Sequence, residues 1–240
     1  MTDKRTHRGP HPDDAKLFTA ETIPHLRAAV ADYSGLLSKG YAAAGSLKLV
    51  GDHFNLTARQ RLALMRSACS DKQLEDRRSR KIAAADLNEK TVSIDGFNLI
   101  ITLEAALSGA YLFIGRDGCI RDLAGLHGTY RIVSETQTAV QMMADTLGSF
   151  KVKSAEILLD RPVSNSGRLK KLIESFADER RLPWVVRLEN SPDRILCQSP
   201  LPVITADSAV LDCCGRWVNL MAEILPQIPF AKVIDLSENA

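Results

Sequence analysis

No stretch of this chain approaches the roughly 20 consecutive apolar residues that cross a bilayer. The opening Met1-Thr-Asp-Lys-Arg-Thr-His-Arg-Gly-Pro10 also lacks the apolar centre of a secretory signal. A cytoplasmic protein without membrane contact is therefore expected. The five cysteines, at 69, 119, 197, 213 and 214, contain no Cys-x-x-Cys and complete no Cys/His set at zinc spacing. An odd, scattered set with one adjacent pair argues against a disulfide framework and for buried thiols. A Gly-x-x-x-x-Gly-Lys-Ser/Thr phosphate loop and a Gly-x-Gly-x-x-Gly fingerprint are both missing, which disfavours an ATPase or a dinucleotide dehydrogenase. A Gly-x-Ser-x-Gly elbow for a nucleophilic serine is missing as well.

What is present suffices for a core: 45% of the 240 residues are hydrophobic and 25% charged, a length compatible with one domain or two. The net charge of +2 is unevenly spread, with 15 basic against 9 acidic residues in 1–85 and 16 against 20 in 86–240. The basic excess peaks at Arg59, Arg61, Arg66, Lys72, Arg77, Arg78, Arg80 and Lys81, opposed only by Asp71, Glu75 and Asp76. Such a run beside an acidic domain suits a polyanion steered toward a metal site. A solvated helix face explains the same run.

Periodicity divides the chain. Helices are expected from Thr22 and Pro24 to Gly40, from Ala42 to Val50 with Gly51 as the stop, from Ala58 behind a Thr57 cap, and over 71–85. Along 52–69, two short helices separated by a tight turn resemble a helix-turn-helix. Past Asn88 the pattern becomes strand-like at Val92–Ile94, with a hairpin turning at Asp117-Gly118. Further strands are expected at Ala155–Leu159, Trp184–Leu188, Val203–Ile204 and Ala231–Asp235. Helices lie between them at Leu99–Ser108, from a Ser134–Gln137 capping box to Gly148, at Arg168–Arg181 and at Ala209–Ile224. The expectation is a basic helical domain over 1–88 and, over 89–240, an α/β three-layer sandwich with a mostly parallel sheet.

Three of these strands exit into an aspartate: Asp95, Asp160 and Asp207. A parallel sheet sends all three to one edge, where functional loops gather. Close carboxylates repel unless a cation lies between them or one takes a proton. Mg²⁺ or Mn²⁺ is the natural hard ion for an all-oxygen set and could activate water against a phosphoryl group. Asp212 could approach from one helical turn on, Asn98 could orient Asp95 or contact phosphate, and Asp117 and Asp122 are weaker candidates. In the loop after Asp160, Arg161, Ser164, Asn165, Ser166 and Arg168 precede a helix whose free N–H groups could receive a phosphate. His127 could serve as acid or base. Structural roles compete: Asp207 as a helix cap, Asp160 in an ion pair with Arg161 or Arg168.

Asp95-Gly-Phe-Asn-Leu-Ile100 resembles the opening signature of NYN domains, the PIN-like nucleases, and Thr205-Ala-Asp-Ser208 resembles their later Thr/Ser-x-Asp element. The resemblance covers 90–235 and implies a metal role for Asp95 and Asp207, with Asp160 as the intermediate acid. Many such proteins have a second acid two residues after the late aspartate, where this chain has Ala209. A haloacid-dehalogenase-like phosphatase would need a second aspartate where Phe97 stands. The whole chain also resembles a prokaryotic family of the domain-of-unknown-function 434 type. Its landmarks include Leu56-Thr-Ala-Arg-Gln-Arg61, Leu126-His-Gly-Thr-Tyr130 and Leu159-Asp-Arg-Pro-Val-Ser-Asn-Ser-Gly167. The expected function is Mg²⁺- or Mn²⁺-dependent phosphodiester hydrolysis, with RNA as the favoured polymer. The alternative is a non-catalytic nucleic-acid-binding or regulatory protein on a degraded PIN scaffold, gripping its partner through the basic helices; either is compatible with a homodimer.

Overall fold

The computed structural model describes residues 7–125 and 128–237 and opens with a run of helices, of which the fourth and fifth start at side-chain caps. These helices are α1 (Asp14–Leu17), α2 (Ile23–Ser38), α3 (Ala43–His53), α4 (Ala58–Ser67) and α5 (Asp71–Arg80). Thr57 and Ser70 open α4 and α5 in reciprocal capping boxes with Gln60 and Gln73. Thr22 does not cap α2: its hydroxyl donates to the carbonyls of Leu17 at 3.0 Å and Thr19 at 2.9 Å. Gly51 does not stop α3 but lies within it, because a Cβ there would run into the Arg61 guanidinium that packs across the helix.

The α/β part continues through β1 (Thr91–Asp95), α6 (Gly96–Leu107), β2 (Tyr111–Ile114), β3 (Ile120–Asp122), α7 (Thr136–Ser149), β4 (Ser154–Asp160) and α8 (Ser166–Arg180). It closes with β5 (Trp184–Glu189), α9 (Pro192–Cys197), β6 (Val203–Ile204), α10 (Ser208–Cys213), β7 (Trp217–Val218), α11 (Leu220–Ile224) and β8 (Lys232–Asp235). The main sheet has five parallel strands in the order β5-β4-β1-β6-β7. Alternate residues face opposite ways. Val92, Ile94, Ala155, Ile157, Val186 and Ile204 join the large core with α6, α7 and α8, while Leu158, Val203 and Trp217 join a smaller one with Leu196 of α9 and Val210 and Leu211 of α10. Helices on both faces make the expected three layers. The chain reverses direction across the sheet when β5 is followed by β6, which makes the gap between β1 and β6 the topological switch point.

Two further expectations need correction, and two features went unread. No element was expected at 190–193, where Pro192 opens α9 from its first turn. The single helix expected over 209–224 is broken. Fully buried Trp217 donates its indole N–H to the Arg77 carbonyl at 2.8 Å and adds β7 to the sheet edge between α10 and α11. No capping box forms at Ser134–Gln137, because α7 starts from Glu135 without a side-chain cap bond. The β2–β3 hairpin, whose turn residue Gly118 has φ +75°, leaves the main sheet and joins β8 in a second sheet, β3-β2-β8.

That second sheet joins the two parts of the chain. Leu26, Val30, Tyr33 and Leu64 from the N-terminal helices share a core with Phe113, Leu123, Ile234 and Leu236. The change of pattern near residue 88 separates sequence segments, while the helical segment closes its core against β-structure. Among the described residues, no helix is long and apolar enough to cross a membrane.

Candidate functional site

Asp95 is the last residue of β1, Asp160 the last of β4, and Asp207 follows β6 as the cap of α10. Since β1 lies between β4 and β6, the three share the carboxyl edge of one sheet. Asp95 is level with Leu158, so Asp160 stands two residues farther along its strand.

A mesh of hydrogen bonds fixes the centre of this edge. Thr205 donates its hydroxyl to Asp95 Oδ2 at 2.8 Å and accepts the Asp207 N–H at 3.0 Å. The Asn98 N–H donates to Asp95 Oδ1 at 3.3 Å, and Asn98 Oδ1 accepts the Ala206 N–H at 2.8 Å. Asp207 Oδ1 takes the N–H groups of Ala209 and Val210, as a cap should. The Asp95-Gly-Phe-Asn98 segment and the Thr205-Ala-Asp207 loop are thereby stitched together across the switch point.

The electrostatics of this edge are unusual within the molecule. Asp14, Glu104, Asp117 and Asp122 are buried, and each faces an arginine: Arg59, Arg8, the pair Arg77 and Arg121, and Arg66 respectively. Asp95 is only 8% exposed. Among the described residues, it forms no ion pair with a basic side chain, and neither do Asp160, Asp193 or Asp207. Burial, reinforced by Asp207 and Asp193, pushes the Asp95 carboxyl up to about 7 against the pull of its bonds from Thr205 and Asn98. Asp193, at the start of α9, is raised by partial desolvation and by Asp207; Asp160 is raised by partial desolvation and by Asp193. Asp193 is the member that sequence reading missed. Its signal was present: Ser191-Pro192-Asp193 is a helix start with proline first and an acid in the opening turn.

Among the described residues, no group of three or more His, Cys, Asp or Glu side chains is placed to hold a metal ion. The carboxylates nonetheless feel one another: Asp95 the charges of Asp207 and Asp193, Asp193 that of Asp207, and Asp160 that of Asp193.

Other candidates take structural positions. Asp212, expected as an auxiliary ligand, turns to α5, where Arg77 Nε at 2.7 Å and Gln73 Nε2 at 2.7 Å hold it. Asp117 is buried, yet Arg121 and Arg77 hold its carboxyl well below the usual range. Asp122 accepts the Thr102 hydroxyl at 2.7 Å and the Ala124 N–H at 2.6 Å. In the loop after Asp160, Asn165 has φ +67° and donates to the Tyr130 carbonyl, Ser166 is buried, and Arg161 bonds the Leu188 carbonyl, while Ser164 and Arg168 are exposed. His127 lies outside the described residues.

Much of the basic run is engaged within the fold: Arg77 is buried and Arg59, Arg61, Arg66 and Arg80 are half-buried, while Lys72 and Lys81 are exposed. Arg59 pairs with Asp14. Arg61 bonds the Leu56 carbonyl and Asp52, and Arg66 bonds the carbonyls of Asp122 and Ala124. Arg77 is 1% exposed, and Arg80 bonds the Cys214 carbonyl at 2.6 Å. Arg78 remains exposed. The cysteine expectation is also corrected in part. Cys197 and Cys213 form a disulfide, because the packing of α9 on α10 brings their Cα atoms to 5.0 Å. Cys69, Cys119 and Cys214 are buried thiols, as expected, and burial pushes Cys69 up to about 11.

Residues 25–80 match the family described as Protein of unknown function (DUF434), and residues 84–223 match that described as Domain of unknown function (DUF5616). A 142-residue stretch is 33% identical to the protein titled Uncharacterized protein MJ0935 of Methanocaldococcus jannaschii, covering 59% of this chain and 68% of that one. No solved structure matches. With the second family spanning more than half of its length, the chain belongs to the DUF5616 family.

Proposed function

We propose that the aspartate edge binds a divalent cation and hydrolyses phosphodiesters, with RNA as the substrate class, on a PIN/NYN-like scaffold. One observation carries this reading: among the described residues, Asp95 is a buried carboxylate beside Asp207 with no cationic partner, whereas the other buried acids each face an arginine. A cost of that kind is expected where a function needs the charge. The lack of a three-ligand group among the described residues is compatible with Mg²⁺ or Mn²⁺, which is often held by one or two carboxylates together with waters and substrate phosphates. Asp95 and the free oxygen of Asp207 would hold the ion. A bound ion would supply Lewis-acid charge and a water of lowered pKa. Asn98 and Thr205 keep the two carboxylates in register. Asp193, with its raised affinity for protons, is placed to accept one from an attacking water. Arg168, exposed beside the loop after Asp160, is available to a substrate phosphate.

The test is cleavage of structured and single-stranded RNAs with Mn²⁺. Wild type is expected to cut and Asp95→Asn to lose at least about a hundredfold of the rate while remaining folded. Intact RNA with wild type, over a range of Mn²⁺ and pH, overturns the reading. The absence of a second acid at Ala209, together with the lack among the described residues of a three-ligand metal group, favours the second reading, a non-catalytic nucleic-acid-binding protein. Salt-sensitive RNA retention without cleavage supports that one.

A further inference from the structure

We infer that the Cys197–Cys213 disulfide is a redox latch on the aspartate edge, holding in place the two short helices that present Asp193 and Asp207. The inference deepens the proposed metal site and rests on it for its effect on metal binding. Helices α9 and α10 have six residues each, too few to persist without tertiary support. That support is a small apolar core, Leu196, Val210, Leu211 and Trp217, the bonds from Arg77 and Gln73 to Asp212 of α10, and the disulfide, which ties α9 to α10 directly. Asp193 precedes Cys197 by one helical turn, and Asp207 caps the helix that ends in Cys213. The 16-residue separation closed by the bond contains β6, Thr205 and Asp207, so the bond restrains the whole segment that faces Asp95.

Access distinguishes this pair from the other thiols. Cys213 is exposed and Cys197 half-buried, while Cys69, Cys119 and Cys214 are buried. Exposed disulfides are the ones open to exchange. Attack by a dithiol reductant breaks the S–S bond and leaves two thiols, on Cys197 and Cys213. The reductant becomes a disulfide, and two electrons and two protons pass to the protein. Without the cross-link, α9 and α10 sample open states more often, and the carboxylates of Asp193 and Asp207 lose their fixed relation to Asp95.

The experiment uses the full chain, air-oxidised or reduced with dithiothreitol, and the double variant Cys197→Ser/Cys213→Ser. Alkylation mapping identifies the redox state, hydrogen exchange reports on residues 192–213, and Mn²⁺ titration reports on the site. Oxidised wild type should resist alkylation at both cysteines. Reduction should raise exchange across α9 and α10 about tenfold and weaken Mn²⁺ binding by a similar factor. The double variant should match the reduced protein and ignore the reductant. Alkylation of both cysteines before reduction, exchange that does not change on reduction, or faster exchange with unchanged Mn²⁺ affinity would each overturn the latch. Absence of Mn²⁺ uptake in both redox states would instead fell the hydrolase reading and, with it, the latch's effect on metal.

Discussion

Asp95 concentrates the energetic tension of the molecule, because its carboxyl is buried and, among the described residues, receives hydrogen bonds without a counter-charge. Its folded-state pKa of about 7 lies above the unfolded value of 3.8, so the folded state holds the proton more tightly. The resulting stabilisation is complete below the unfolded pKa and is lost as pH rises through about 7. Asparagine cannot ionise and keeps an acceptor for one of the two bonds. Urea titrations should find Asp95→Asn more stable than wild type at pH 8, by about 2 kcal/mol, with the difference shrinking toward pH 5. A variant less stable than wild type across that whole range would contradict the assignment of the shift. At this scale the sequence was informative about identity and less so about partners. Asp95, Asn98 and Asp207 were legible because strand ends and helix starts are local features. The bonds that engage Asp212, Arg59, Arg61, Arg66, Arg77 and Arg80 were not legible, since a charged residue on a helix reads the same whether it meets water or a distant partner.

Elements follow the same division. The Thr57 cap of α4 and the Asp117-Gly118 turn need only neighbouring residues and form where expected, while the capping boxes that Gln60 and Gln73 complete went unread. The break between α10 and α11 depends on Trp217 finding the Arg77 carbonyl 140 residues away in sequence, which no local pattern contains. Gly96, in the Asp95-Gly-Phe-Asn98 segment, shows how an element is positioned by an absent side chain. A Cβ there would stand 2.7 Å from Leu159 Cδ2 and 2.9 Å from the Leu158 carbonyl oxygen, so glycine lets α6 start directly against β4. Gly96→Ala should therefore destabilise the protein by about 1–3 kcal/mol in thermal or urea unfolding. Because α6 carries Asn98, it should also loosen the bond from Ala206. A neutral result would mean that β4 yields freely at this contact.

Across the whole molecule, the second sheet decides how the parts depend on each other. Strand β8 returns to pair with β2 across some 120 residues of sequence, and the N-terminal helices cover the face they make together. That pairing was invisible to periodicity, which registers a strand's existence better than its partner. Removing residues 1–88 would expose Phe113, Leu123, Ile234 and Leu236 to water. Calorimetry of the intact chain should show one cooperative transition, and the segment 89–240 alone should aggregate or fail to unfold cooperatively. Two resolved transitions, with a stable isolated C-terminal segment, would contradict this. The most direct test of the central claim is calorimetric titration of Mn²⁺ into wild type, Asp95→Asn and Asp207→Asn at pH 8 and pH 6. Wild type should bind at pH 8, bind more weakly at pH 6 with release of a proton as the Asp95 carboxyl ionises, and lose binding in both variants. Equal binding by wild type and Asp95→Asn, or no uptake by wild type at pH 8, would contradict the account.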